Sequence, residues 1–215
     1  MKLLDLSHPF DASAHGGKME LEIRTVRTVE EHGVNTRQIT FGNHIGTHVD
    51  APLHLIAAGA SIDQLPLEVF YGPAVVLDIQ KGPNGAIGRA ELEHAAPRVE
   101  KGDIVVIYTG WGNKLTSSDY ASHHPYLTED GADWLVSKGV RMVGMDVQSV
   151  DLPHSLRDKD FKYTSLRVLL KNGIPAIHNL TNLQAIRGRR VVLLSLPINF
   201  RGVDGSPARV VAQLD

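Results

Sequence analysis

The 215-residue chain contains no cysteine. Disulfides, thiolate metal ligands and cysteine nucleophiles are therefore excluded, and any metal must be held by nitrogen and oxygen. No apolar run approaches the ~18–20 residues that span a bilayer as a helix, so no membrane partner is expected. The basic-then-apolar layout of a secretory leader is missing as well, because Asp5 and His8 interrupt the opening stretch, and a cytoplasmic location is the expectation. Like-charge runs are absent: 22 Lys and Arg are interspersed with 24 Asp and Glu for a net charge of −2, which points away from nucleic acid and anionic surfaces. With no Ser/Gly/Pro-rich break and no repeat, one domain over residues 1–215 is expected, long enough for a sizeable core. A G-x-S-x-G elbow is also lacking, so Ser7-His8 and Ser149 make a weak case for a serine hydrolase. Gly82-Pro83-Asn84-Gly85 reads as a turn, not as a phosphate-binding loop.

What the chain does contain is concentrated in residues 44–54, His44-Ile45-Gly46-Thr47-His48-Val49-Asp50-Ala51-Pro52-Leu53-His54. Neutral imidazoles and a carboxylate form a ligand set for zinc or a similar divalent ion. His44, His48 and Asp50 would be the three ligands, which leaves a position open for water, and His54 would stand beside them as an unligated base. Gly46, Thr47, Val49 and Pro52 argue against a helix here, and Ile45 stands where the H-E-x-x-H pattern needs glutamate. The spacing predicts instead a strand over 35–41, a turn at Gly42-Asn43 and Gly46, and then His48 and Asp50 in extended backbone, pointing to the same side.

Along the rest of the chain, residues 73–79, 104–109, 140–146, 173–178 and 191–196 are short β-branched runs that read as buried strands. Helices are expected over 89–94, 129–138 and 164–172, the last two closed by Gly139 and Gly173. Strands following helices imply βα units and a partly parallel sheet. Residues 22–29 and 35–41 alternate without helical period and read as extra strands.

The motif at 44–54 resembles H-x-G-T-H-x-D-x-P-x-H, the hallmark of the cyclase-like metal-dependent hydrolases, which include bacterial kynurenine formamidase and isatin hydrolase. The resemblance continues through Asp5-Leu6-Ser7-His8-Pro9, Gly102-Asp103, Val105 to Trp111, Leu135 to Gly139, Gly144-Met145-Asp146, Ser149-Val150-Asp151 and Asn179-Leu180, in the expected order. It implies an α/β fold, a swivelling β/β/α-type layered domain with a mixed sheet, and a homodimer or homotetramer. His44, His48 and Asp50 would bind the metal, with His54 as general acid/base. Two-metal relatives hold a second zinc with a histidine before a Leu-Leu pair and a glutamate before Asn-Leu. The register set by Leu169-Leu170 and Asn179-Leu180 puts Leu166 and His178 in those places. Leucine cannot ligate, so one divalent metal is expected, zinc first and manganese as the alternative, with His178 a further ligand or a group polarising the water.

Weaker signals surround this core. Trp111 follows the strand 104–109 at a carboxyl end and is a candidate substrate-binding wall. His154 is a candidate replacement for the ligand missing at Leu166. Asp146 and Asp151 would support the metal or form turns, and His123-His124-Pro125 reads as a solvated loop. His8, His15, His32 and His94 read as structural or surface groups, and the loops 11–19 and 114–126 are expected to shape the pocket. The expected reaction is hydrolysis of a small amide, formamide or lactam by a water activated on the metal, His54 moving the proton; imidazole, with an ordinary pKa near ~6.5, can both take and give one. The alternatives are a two-metal kynurenine formamidase, a non-catalytic metal-binding or oligomeric protein, and a lyase or cyclase using the same residues.

Overall fold

The computed structural model describes residues 2–10 and 21–214; His15 and the loop 11–19 lie outside the described residues. The strands in chain order are β1 (Lys2–Asp5), β2 (Glu22–Arg27), β3 (Thr36–Thr40), β4 (His48–Asp50), β5 (Tyr71–Asp78), β6 (Ala86–Ile87), β7 (Ile104–Tyr108), β8 (Tyr126–Leu127), β9 (Met142–Met145), β10 (Ala176–His178), β11 (Arg190–Pro197) and β12 (Gly205–Leu214). The helices are α1 (Val29–His32), α2 (Arg89–His94), α3 (Glu129–Lys138) and α4 (Thr164–Lys171).

β5, β7, β9 and β10 lie side by side and parallel. β11 continues this array antiparallel from β5, and β4 continues it antiparallel from β10. β12 pairs with both β11 and β4, so the sheet closes on itself and leaves few free edges. The period of two along each strand divides the side chains between two cores. Ala74, Val76, Ile104, Val106 and Met142 point into the closed sheet with Leu6, Val49 and Phe70. Val75, Leu77, Val105, Ile107 and Met145 point outward under Leu135 of α3 and Leu166, Leu169 and Leu170 of α4. Strands buried on both faces explain the near-continuous apolar runs in the sequence. Each Val, Leu, Ile, Met or Phe among them contributes roughly 1.5–3 kcal/mol by leaving water.

The fold is of the expected mixed-sheet α/β class, and the buried strands and longer helices fall where the sequence placed them. α3 starts on Thr128, whose hydroxyl accepts from Gly131 N, and ends on Gly139 at φ 67°. The strands expected over 22–29 and 35–41 form a hairpin, β2 with β3, whose residues are all exposed. α1 bridges its two strands, capped by Thr28 and closed by Gly33. β12 was not legible, because Gly205 and Pro207 break its pattern, yet it is the strand that closes the sheet. No helix among the described residues is long and apolar enough to cross a membrane.

Candidate metal centre

The histidine-rich segment is fixed by its neighbours on both sides. Gly46 takes φ 60°, a conformation that suits glycine, and turns the chain into β4. Thr47 Oγ1 donates to Asn179 O (2.6 Å) and accepts from His8 N (3.0 Å), tying the turn to the end of β10 and to the N-terminal strand region. β4 then pairs with β10, setting His48 opposite His178, and with β12, setting Asp50 opposite Gly205. A Cβ at Gly205 would lie 2.6 Å from His44 Cε1 and 2.8 Å from Val49 O, so glycine is what admits the His44 ring. Pro52–His54 form a single 3-10 turn, which brings His54 back over His44 with ring centroids 4.1 Å apart.

Asp50 is 3 % exposed and surrounded by three imidazoles. Oδ1 lies 2.7 Å from His44 Nδ1 and 3.4 Å from His48 Nε2, while Oδ2 lies 2.9 Å from His178 Nε2. Burial alone would raise its carboxyl, but the charge and hydrogen bond of His178, with those of His44 and His48, hold it well below the usual carboxylate range. Burial likewise works against a charged His44, and Asp50 and Asp204 outweigh it, raising that imidazole to about 9. The donor set fits a divalent cation on one particular ground. His48 Nδ1 faces the Gly46 carbonyl at 2.8 Å and so carries the ring proton, which leaves Nε2 a lone pair pointed at a carboxylate oxygen. Two acceptors facing each other across 3.4 Å are reconciled by a positive charge between them. The ligand atoms of His44, His48 and Asp50 all lie within 4.8 Å of one another.

Asp204, which sequence reasoning missed, completes the site. It precedes β12, and its Oδ2 sits 2.7 Å from His54 Nδ1 and 2.9 Å from His44 Nε2, while Oδ1 accepts from Asn43 Nδ2 at 2.6 Å. Burial would raise the Asp204 carboxyl, yet these hydrogen bonds hold it at about 2. With Nδ1–H of His54 engaged by a carboxylate, Nε2 is left as its basic atom. Beside Asp204 lies a wide-open groove of about 550 Å³, lined by Ile39, Phe41, Phe200 and Val203 with Thr40 and Asn43.

The remaining candidates fall in different places. His178 is 1 % exposed; it grips the second oxygen of Asp50, and its buried Nδ1 has no hydrogen-bond partner among the described residues. Leu166 is packed in the outer core, 2 % exposed. His154 is exposed in a short turn and belongs to neither of the two His/Asp groups whose ligand atoms converge among the described residues. Trp111, expected at a pocket wall, is 2 % exposed, with Nε1 donating to Tyr120 O and Lys114 Nζ lying 4.0 Å from its ring centroid. The ring is enclosed because the turn after β7 folds inward: Asp146 accepts from Thr109 N, Gly110 N and Gly112 N. Asp151 accepts from Ser165 N and Leu166 N at the start of α4. Both carboxylates therefore hold backbone.

His124 corrects the expectation of a solvated loop. It is fully buried, because Ser155 N and His154 N donate to Ser122 O and Ala121 O and draw the two loops together. Burial, with the charges of Arg157, His154 and His178, pushes its pKa down to about 4. The unfolded chain titrates this group near the ordinary ~6.5 and so binds the proton first. Its contribution to stability is full above ~6.5 and is lost as the pH falls toward about 4, by about 3 kcal/mol. Denaturant unfolding at about pH 7 and about pH 4.5 checks this: His124→Asn should lose that part of the pH dependence, and an unchanged dependence would refute it.

The sequence model of the cyclase family, described as "Putative cyclase", matches residues 4–152. A kynurenine formamidase of Bacillus cereus is 31 % identical over 211 residues, 97 % of this chain and 95 % of that protein. The kynurenine formamidase of Delftia acidovorans is 35 % identical over 181 residues, 83 % of this chain and 79 % of that protein. Among solved structures, isatin hydrolase A from Labrenzia aggregata bound to benzyl benzoate superposes with a TM-score of 0.87 at 24 % identity, covering 98 % of this chain and 93 % of that one. At that identity the likeness carries the fold.

Proposed function

The chain belongs to the cyclase family, and from that premise we propose that it hydrolyses the C–N bond of small aryl formamides and lactams at a divalent metal held by His44, His48 and Asp50, with His54 as the proton carrier. The observation that carries this reading is the division of labour among the histidines: two face the buried Asp50 within one ligand shell, while His54 faces Asp204. A passive metal site has no use for a base oriented by its own carboxylate.

When bound, the metal lowers the pKa of water toward ~7 and offsets the negative charge that develops on the substrate carbonyl oxygen. His54 Nε2 accepts a proton from the attacking water, and Asp204 at Nδ1 stabilises the imidazolium that results. The new C–O bond forms first, placing negative charge on the carbonyl oxygen, and the C–N bond breaks as His54 returns the proton to the departing nitrogen, giving an acid and an amine. His178 holds the second oxygen of Asp50, so that Oδ1 stays aimed at the ligand shell. The nitrogen-rich ligand set supports zinc as the metal.

The aromatic side chains of the open groove beside Asp204, Phe41 and Phe200, support an aryl group as the part of the substrate that does not react. The relatives named kynurenine formamidase favour formylated arylamines within that class. The proposal includes a cytoplasmic homodimer or homotetramer; support for assembly comes from the β2–β3 arm, which exposes Ile23, Val26 and Ile39. Hydrolysis of N-formylaniline and of isatin in ¹⁸O-labelled water tests the reaction. One solvent oxygen in the acid product is expected, and product formed without solvent oxygen would indicate a lyase or cyclase instead.

Asp204 sets the direction of His54, so Asp204→Asn should lower the rate roughly 10–100-fold at little change in KM. Steady-state kinetics with metal content measured in parallel checks this. An unchanged rate would mean that the hydrogen bond to His54 plays no part in turnover.

A further inference from the structure

His44 presents one ring nitrogen to each of two carboxylates: Nδ1 to Asp50 Oδ1 at 2.7 Å and Nε2 to Asp204 Oδ2 at 2.9 Å. On the Asp204 side, ligand atoms of His44, His54 and Asp204 again lie within 4.8 Å of one another. Asn43 occupies Oδ1 of Asp204 and leaves Oδ2 between the two rings. We propose that His44, His54 and Asp204 form a second, weaker site for a divalent cation, and that filling it switches the enzyme off. The proposal rests on the reading that the first metal sits at His44, His48 and Asp50.

Two imidazoles and a carboxylate are a sound ligand set for zinc or copper. The second site binds more weakly because its side chains are 18 % (His44), 26 % (His54) and 35 % (Asp204) exposed, so water competes for the cation and for the ligands. Asp50, by contrast, is 4 % exposed at its side chain and braced by His178. Inhibition follows from the position of one proton. Neutral His54 carries its proton on Nδ1, toward Asp204, and keeps Nε2 basic. A cation on Nδ1 takes that lone-pair position, and the single ring proton moves to Nε2; at His44, whose other nitrogen serves the first metal, the Nε2 proton leaves to solvent and the ring bridges the two cations as an imidazolate. The atom that must accept a proton from water is then already protonated. The site is distinct from the second site of the two-metal relatives, since it is built from His54 and Asp204 and not from the positions of Leu166 and His178.

The test starts from protein carrying one equivalent of zinc and titrates further zinc against a competing chelator, reading cation bound and hydrolysis rate together. A second, weaker equivalent should bind, and the rate should fall in step with it by at least about 100-fold, as for loss of a general base. Asp204→Asn, already slower, should take the first equivalent only and show no further fall. His54→Ala should also take one equivalent, which keeps the test valid if the Asp204 variant is unstable. His178→Ala should retain the second binding event. The proposal is overturned if wild type takes no second equivalent at millimolar zinc, or if the second equivalent leaves the rate unchanged or raises it. Persistence of the event in Asp204→Asn, or its loss in His178→Ala, would overturn it too. A wild-type chain that takes no first equivalent, or keeps it in Asp50→Asn, would instead defeat the underlying reading of the first site.

Discussion

Replacing His54 with alanine is expected to lower the hydrolysis rate by roughly 10²–10⁴-fold while the chain keeps its first metal. The expectation follows from geometry on both sides of the ring. Nδ1 is engaged by Asp204 at 2.7 Å, so Nε2 is the free base, and the ring stands over the ligand His44 with centroids 4.1 Å apart. His54 is absent from the ligand group of His44, His48 and Asp50, and its removal leaves those atoms in place. The substitution also takes a hydrogen bond from Asp204, so a modest loss of stability should accompany the loss of rate. Single-turnover rates with metal content measured on the same sample separate the possible outcomes. Loss of metal on this substitution would mean that His54 is a ligand and that the proton carrier lies elsewhere.

Asp50→Asn should have the larger effect. Among the described residues Asp50 is the only anionic group in that ligand shell, and it also balances His44 and accepts from His178. Groups that merely support a ligand cost roughly 10–100-fold in metal affinity when removed, and a direct anionic ligand costs more. The amide keeps the shape but turns an N–H toward an imidazole and leaves a buried site short of one negative charge. Breaking a buried pair of this kind costs about 3–5 kcal/mol, so metal-free Asp50→Asn should unfold at markedly lower denaturant than the metal-free parent. Chelator-competition binding and denaturant unfolding read the two effects separately. Retention of tight metal binding by the variant would remove Asp50 from the ligand set.

The sequence carried some parts of this site and concealed others, for reasons rooted in distance along the chain. His44, His48, Asp50 and His54 occupy one short stretch, and the two-residue spacing of His48 and Asp50 on a strand is a local property. His178 became visible only through register against Leu169-Leu170 and Asn179-Leu180, and its side chain meets Asp50 because β10 pairs with β4. Asp204 had no local mark beyond a turn before Gly205. It reaches His54 through the pairing of β12 with β4, two strands far apart along the chain whose contact no periodicity announces. The buried strands β5, β7 and β9 were legible because both their faces are apolar, whereas β12 carries Gly205, Pro207 and Arg209 and reads as irregular. His124 looked solvated because its neighbours His123 and Pro125 suggest a loop; the loop exists, but hydrogen bonds from the 154–155 segment fold it inward. Trp111 sits at the expected strand end, and the Asp146 clamp on Thr109, Gly110 and Gly112 turns its ring into the core.

The most direct test of the central claim is formate release from N-formylaniline by protein stripped with a chelator, with metal per chain measured by plasma emission, before and after adding one equivalent of zinc. The account predicts that the rate falls with the metal and returns with a single equivalent in the wild type, and that Asp50→Asn does not recover. Full activity in a chain shown to hold no metal would contradict it.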